Sequence, residues 1–140
     1  MAMNTGHGGS ITFGTSGLTY AWRKIGAIEQ EGEAVEDTDL DNTYFKTFLP
    51  GDVSEPGEFE VEYCWNAKEE LPALGTVETI TVTLPQGSDE TAAADLEGTG
   101  FIMSRTAFPE LATNGLQIGK MKVAFDGATG VPTWTKATTA

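Results

Sequence analysis

Asp37, Asp39 and Asp41 stand two residues apart, the spacing at which the first ligands of an EF-hand loop converge on calcium. The pattern then stops. Asn42 occupies the place of the turn glycine and Phe48 that of the bidentate glutamate, so these side chains suit turn formation and capping better than a cation cage. Nucleophilic chemistry would have to use the single histidine, His7, or the single cysteine, Cys64. His7 lies in a Gly-rich stretch without a base or ligand beside it, which leaves no Ser–His–Asp or Cys–His relay and no zinc cluster. Cys64 follows three glutamates on one strand, and nearby carboxylates disfavour the thiolate. Gly98-Thr99-Gly100 lacks the remainder of a phosphate-cradling loop. Acid pairs of the kind glycosidases use are abundant, but strand glutamates on an acidic face are ordinarily solvated. The expectation is a protein that is not an enzyme and has no cofactor and no metal.

The element around which these residues are arranged is the alternating run 57–65. Phe59, Val61, Tyr63 and Trp65 point one way and Glu58, Glu60 and Glu62 the other, the period of a half-buried strand. A slip of one residue would bury three carboxylates, so the register is tightly fixed. Each large side chain that goes into a core contributes roughly 1.5–3 kcal/mol before entropy is subtracted. A second alternation places Ile80, Val82 and Leu84 inward, and a third sets Met121, Val123 and Phe125 against Lys120 and Lys122. Residues 18–31 suggest a strand, or two strands bent at Gly26, and 101–108 another. Residues 131–134 suggest a short edge strand or an arm. Pro50-Gly51 and the segment 54–57 are expected to turn the chain. Asn66 as N-cap with Glu69 three residues on predicts a short helix over 66–75, kinked or ended by Pro72, with Leu71 and Leu74 facing the sheet.

The chain has 140 residues and a formal charge of −13, enough length for one domain with a real core. Twelve of its 21 acids fall between positions 29 and 62 against one base, Lys46. Such a balance excludes phosphate-backbone binding through clustered cations and attraction to anionic membranes. Without a further cysteine there is no internal disulfide, and no basic-then-apolar leader or long apolar run is present. The pattern predicts a mainly β fold, a two-sheet β-sandwich or small β-barrel flanked by one short α-helix. Its divisions are a flexible N-terminal arm over 1–17, the domain over 18–134 and a tail over 135–140.

The order of parts carries a resemblance. Asp37-Thr38-Asp39-Leu40-Asp41, an aromatic stretch with Tyr44 and Phe48 closed by Leu49-Pro50-Gly51, then Gly57-Glu58-Phe59-Glu60-Val61, and in outline as far as Phe125-Asp126-Gly127, is similar to the major tail tube proteins of long-tailed bacteriophages. No single motif is specific; order, spacing and length together carry the likeness over most of the chain. It implies a structural virion protein, made in the host cytoplasm and located in the virion tail, whose hexameric rings stack into a hollow tube. Partners would be other copies of the chain and tail completion, tape-measure or baseplate proteins, with no membrane. DNA would pass through without specific binding. Glu58, Glu60 and Glu62 are the candidate lumen-facing acids, and Asp37, Asp39, Asp41, Tyr44, Phe48, Pro50 and Gly51 the candidate assembly loop. A wall of carboxylates would repel phosphate over the 8–10 Å reach that screening leaves. Two other classes remain: the tube protein of a secretion-type contractile system, and a stand-alone β-sandwich binding or adhesion module.

Overall fold

The structure is a computed structural model that describes residues 8–38, 45–46, 48–128 and 131–139, with the backbone alone at 52–54. The strands are β1 (Ser10–Phe13), β2 (Ala21–Ile25), β3 (Glu29–Glu36), β4 (Phe48–Cys64), β5 (Glu78–Thr83), β6 (Glu90–Ala92), β7 (Asp95–Arg105), β8 (Ile118–Phe125), β9 (Thr133–Thr135) and β10 (Thr138–Thr139). The protein is mainly β. One antiparallel sheet runs β1-β5-β7-β8-β4-β2, with β3 added to β4 and β9 to β7, and a second small sheet joins β10 to β6. The sheet curls: the Phe13 and Trp22 rings, on the two end strands of that path, lie 6.3 Å apart.

The alternation of β4 appears as expected. Phe59, Val61 and Tyr63 are 3%, 0% and 1% exposed, and they stand opposite Val123, Met121 and Gly119 of β8 across the ladder. Ile11, Phe13, Leu18, Ile80, Ile102 and Phe125 complete the core, with Trp22, Ile25, Val82 and Leu96 packed at its margin. Four rings gather at one end, where Tyr20 stacks on Tyr63 at 4.3 Å and Trp22 and Trp65 close around them.

The structure departs from the sequence reading in several places, among them the expected tail over 135–140, where Thr135 ends β9 and Thr138–Thr139 form β10 paired with β6. Among the described residues there is no helix. The Asn66 side chain accepts the Lys68 N–H at 3.0 Å, forming a local turn instead of a cap. Pro72 is buried, its carbonyl accepts a hydrogen bond from Arg105 Nη1, and Leu74 bridges in parallel to Ile102. A proline cannot supply the amide a helix needs at this point, and the segment runs along the sheet with Leu71 and Leu74 exposed. Second, residues 10–13 of the expected arm are strand β1, paired with β5 from Ser10↔Thr83 to Phe13↔Ile80. Ile11 and Phe13 are core residues, which ties this segment down.

Third, Pro50-Gly51 and the segment 54–57 do not end a strand, because β4 runs unbroken through both. Pairing with β3 overrides the local turn signals, and the register shifts near these positions accommodate residues that cannot sit in a regular ladder. Gly57 takes φ +111°, and a Cβ there would approach Ile28 and the Glu29 carbonyl. It lies where β8 joins β4 on one side while β2 takes over from β3 on the other, Glu58 pairing with both Glu29 and Ala124. Fourth, β7 starts at Asp95 instead of near Phe101, and Leu84 is exposed beyond the end of β5. The bend expected at Gly26 is present, separating β2 from β3.

Candidate functional site

The three glutamates of β4 share the face opposite the core, but they do not stand alone there. Strand β8 runs beside them with Glu60 opposite Lys122 and Glu62 opposite Lys120. Lys122 Nζ lies 3.0 Å from Glu58 Oε1 and Lys120 Nζ 3.4 Å from Glu62 Oε1. On the other side Lys24 of β2 is the register partner of Glu62. The period of two that sends the core residues inward therefore puts an acidic row and a basic row side by side. The face is nearly neutral, not a bare wall of carboxylates, and each exposed pair contributes at most about 1 kcal/mol.

The first half of β4 makes a different surface. With β3 it forms a two-stranded ribbon in which all eight residues of β3 are exposed. Glu29 stands opposite Glu58 and Glu31 opposite Glu55, and like charges facing each other across a ladder oppose the pairing. Towards its end Val35 faces Leu49 and Glu36 faces Phe48. Val35, Leu49 and Phe48 are 45%, 52% and 59% exposed, and Phe45 is 83% exposed. Exposed apolar side chains on a ribbon that carries unbalanced charge indicate a surface that no described residue covers. Of the candidate assembly loop, Phe48, Pro50 and Gly51 are on this ribbon and Asp37 follows it, exposed. Asp39, Asp41 and Tyr44 lie outside the described residues, as does His7.

A groove of about 790 Å³ opens where the curled sheet is incomplete. Trp22, Ile25, Ile28, Leu84, Leu96 and Trp134 give it an apolar lining, and the exposed Arg23 and Lys24 also border it. The described ion pairs are those of Lys120 and Lys122, so neither Arg23 nor Lys24 is engaged in one. The reading from sequence did not single out this groove. Its only local signal was two adjacent bases in an acidic chain; Leu84, Leu96 and Trp134 join them through tertiary structure alone.

Other polar groups inside the molecule are structural. The buried Glu78 accepts the Ser16 hydroxyl at 2.8 Å. Burial, with the charges of Tyr63 and Glu69 adding to it against that of Arg105, pushes the Tyr20 phenol up to about 12, and its hydroxyl donates to the Glu70 carbonyl at 2.7 Å. Burial likewise raises Tyr63, whose buried hydroxyl has no hydrogen-bond partner. Both phenols hold their protons throughout the neutral range. Cys64 is a free, half-buried thiol. Among the described residues no group of three or more His, Cys, Asp or Glu is placed to hold a metal.

No protein-family model matches the chain, and no curated protein matches it.

Proposed function

We propose that this chain is a structural protein that works by self-assembly, the subunit of a tail tube whose hexameric rings stack into a conduit for phage DNA. The observation that supports this is the ribbon of β3 and the first half of β4: an extended, like-charged element with exposed Val35, Phe48 and Leu49 that no described residue of its own chain covers. A subunit that buries such an element against a neighbour gains apolar area and relieves the charge. In this reading the face of Glu58, Glu60 and Glu62 lines the channel. There the glutamates hold Lys120 and Lys122 in ion pairs, which keeps those cations from gripping a passing phosphate backbone. The flanking strands, curled into a barrel-like body, supply the wall.

Negative-stain microscopy of concentrated protein, alongside sedimentation velocity over a concentration series, tests the proposal. Rings or tubes that grow with concentration are the expected result. A protein that stays monomeric throughout is the stand-alone binding module instead, for which the open groove with its two tryptophans, Trp22 and Trp134, is the one structural argument. A secretion-type tube would assemble in the same way, and the neighbouring genes separate it from a phage tail.

A further inference from the structure

The ribbon and the groove carry opposite halves of one interface. The groove is apolar within and cationic at Arg23 and Lys24. The ribbon presents the apolar pair Val35 and Leu49 flanked by Glu33, Glu36 and Asp37. Their backbones are complementary as well. Among the described ladders β2 pairs only with β4, and β3 pairs only with β4, so each has an edge whose backbone groups are open to another strand. The groove's polar borders are exposed cations, not side chains converging on a small molecule from within, which suits a protein segment better than a small ligand. A ribbon cannot fill the groove of its own subunit in this way, since only Gln30 of β3 reaches the lining while the apolar pair lies roughly 17 Å further along at about 3.3 Å per residue.

We infer that the ribbon of one copy docks into the groove of the next, with Val35 and Leu49 on the apolar lining and the acids around them facing Arg23 and Lys24. The occupant is a second copy of this chain, and the inference rests on the self-assembly reading above. Two different patches meet, so the contact is head-to-tail. Such a contact repeats indefinitely, closing into a ring when the rotation between copies allows and extending into a filament when it does not. The charges set the register and suppress wrong pairings, and the apolar pair supplies the adhesion.

Charge reversal tests this with the full chain. The variant Arg23→Glu with Lys24→Glu gives an acidic groove and leaves the ribbon acidic. Glu36→Lys with Asp37→Lys makes the docking end of the ribbon basic, with Glu29, Glu31 and Glu33 unchanged, and leaves the groove basic. Each variant alone should need more than about tenfold higher concentration than wild type to assemble, because like charges then meet. An equimolar mixture should recover assembly, since each variant's ribbon matches the other's groove. All four positions are exposed, and circular dichroism melting confirms that both variants are folded. Val35→Ala with Leu49→Ala, which changes no charge, should also weaken assembly. If wild type assembles while the groove variant does so equally well, the groove is not the acceptor, although the tube reading stands. If both charge variants are folded and inactive and their mixture does not recover, the pairing is likewise wrong. If wild type itself never assembles, the self-assembly reading fails first.

Discussion

Residues 48–57 and 58–64 are consecutive parts of one strand, β4, yet they are stabilised in different ways. In the second part every other side chain is in the core, and the glutamates between them meet lysines on β8. In the first part the side chains with described positions are exposed or half-buried, the partner strand is β3, and acids face acids. Gly57 separates the two, at a positive φ just before the residue where β8 joins the strand. The difference shows that a β-ladder alone does not make a self-sufficient surface. Hydrogen bonds hold both halves together, but burial and charge matching complete only one.

Equal truncations on the two sides of Gly57 would break the comparison most directly. Phe59→Ala removes a ring from the core and is expected to cost about 3–5 kcal/mol in urea unfolding. Leu49→Ala on the exposed ribbon is expected to change subunit stability by less than about 0.5 kcal/mol. A comparable loss at Leu49 would mean that the ribbon is part of the cooperative core. Gly57→Ala comes next. An L-residue at φ +111° is strained, and its Cβ would crowd Ile28, so a loss of about 1–2 kcal/mol is expected. Alanine tolerated without cost would show that the junction relaxes freely.

The charge arrangement gives smaller effects of opposite sign. Glu31→Lys places a cation opposite Glu55 and should stabilise the subunit by up to about 1 kcal/mol at low salt. Glu60→Lys, set opposite Lys122, should destabilise it by a similar amount, and both effects should shrink at 1 M salt. Matching signs would erase the distinction between the two surfaces. The smallest effect at neutral pH belongs to the tyrosines. Tyr20, raised from 10 to about 12 in the fold, favours the folded state fully below pH 10 and loses that contribution as pH rises through 12. Absorbance titration of the phenols, followed with circular dichroism, should show alkaline unfolding setting in above pH 10, with no dependence on these groups between pH 6 and 8.

Much of the sheet was legible where the period of two is strong. Phe59, Val61 and Tyr63, then Met121, Val123 and Phe125, announce both their strands and their faces. The ribbon was not, because Pro50, Gly51, Pro56 and Gly57 signal turns locally and only the β3 partner keeps the chain extended. The expected helix rested on Asn66 and Glu69, a local capping pattern that competes with an equally local Asn turn, and the buried Pro72 decided the outcome. The beginning of β7 was hidden by Gly98 and Gly100, which look like a loop in sequence but lie beside Phe125 and Ala124, where a side chain would collide. At the candidate site, the common face of Glu58, Glu60 and Glu62 could be deduced from alternation. Their pairing with Lys120 and Lys122 could not, since it depends on the register between strands far apart in sequence.

That distance also bears on the order in which the molecule is made. Partners in the β3–β4 ribbon are separated by 12 to 29 residues, from Glu36↔Phe48 to Glu29↔Glu58, whereas the β4–β8 partners are 54 to 66 residues apart, from Cys64↔Ile118 to Glu58↔Ala124. Short loops close before long ones. As the chain leaves the ribosome, the ribbon can therefore pair while β8 is still unsynthesised and the inner side of residues 58–64 remains uncovered. Unfinished chains would then expose a sticky apolar strand beside the ribbon proposed to dock between copies. The like-charged rows along the ribbon repel other nascent ribbons during that interval.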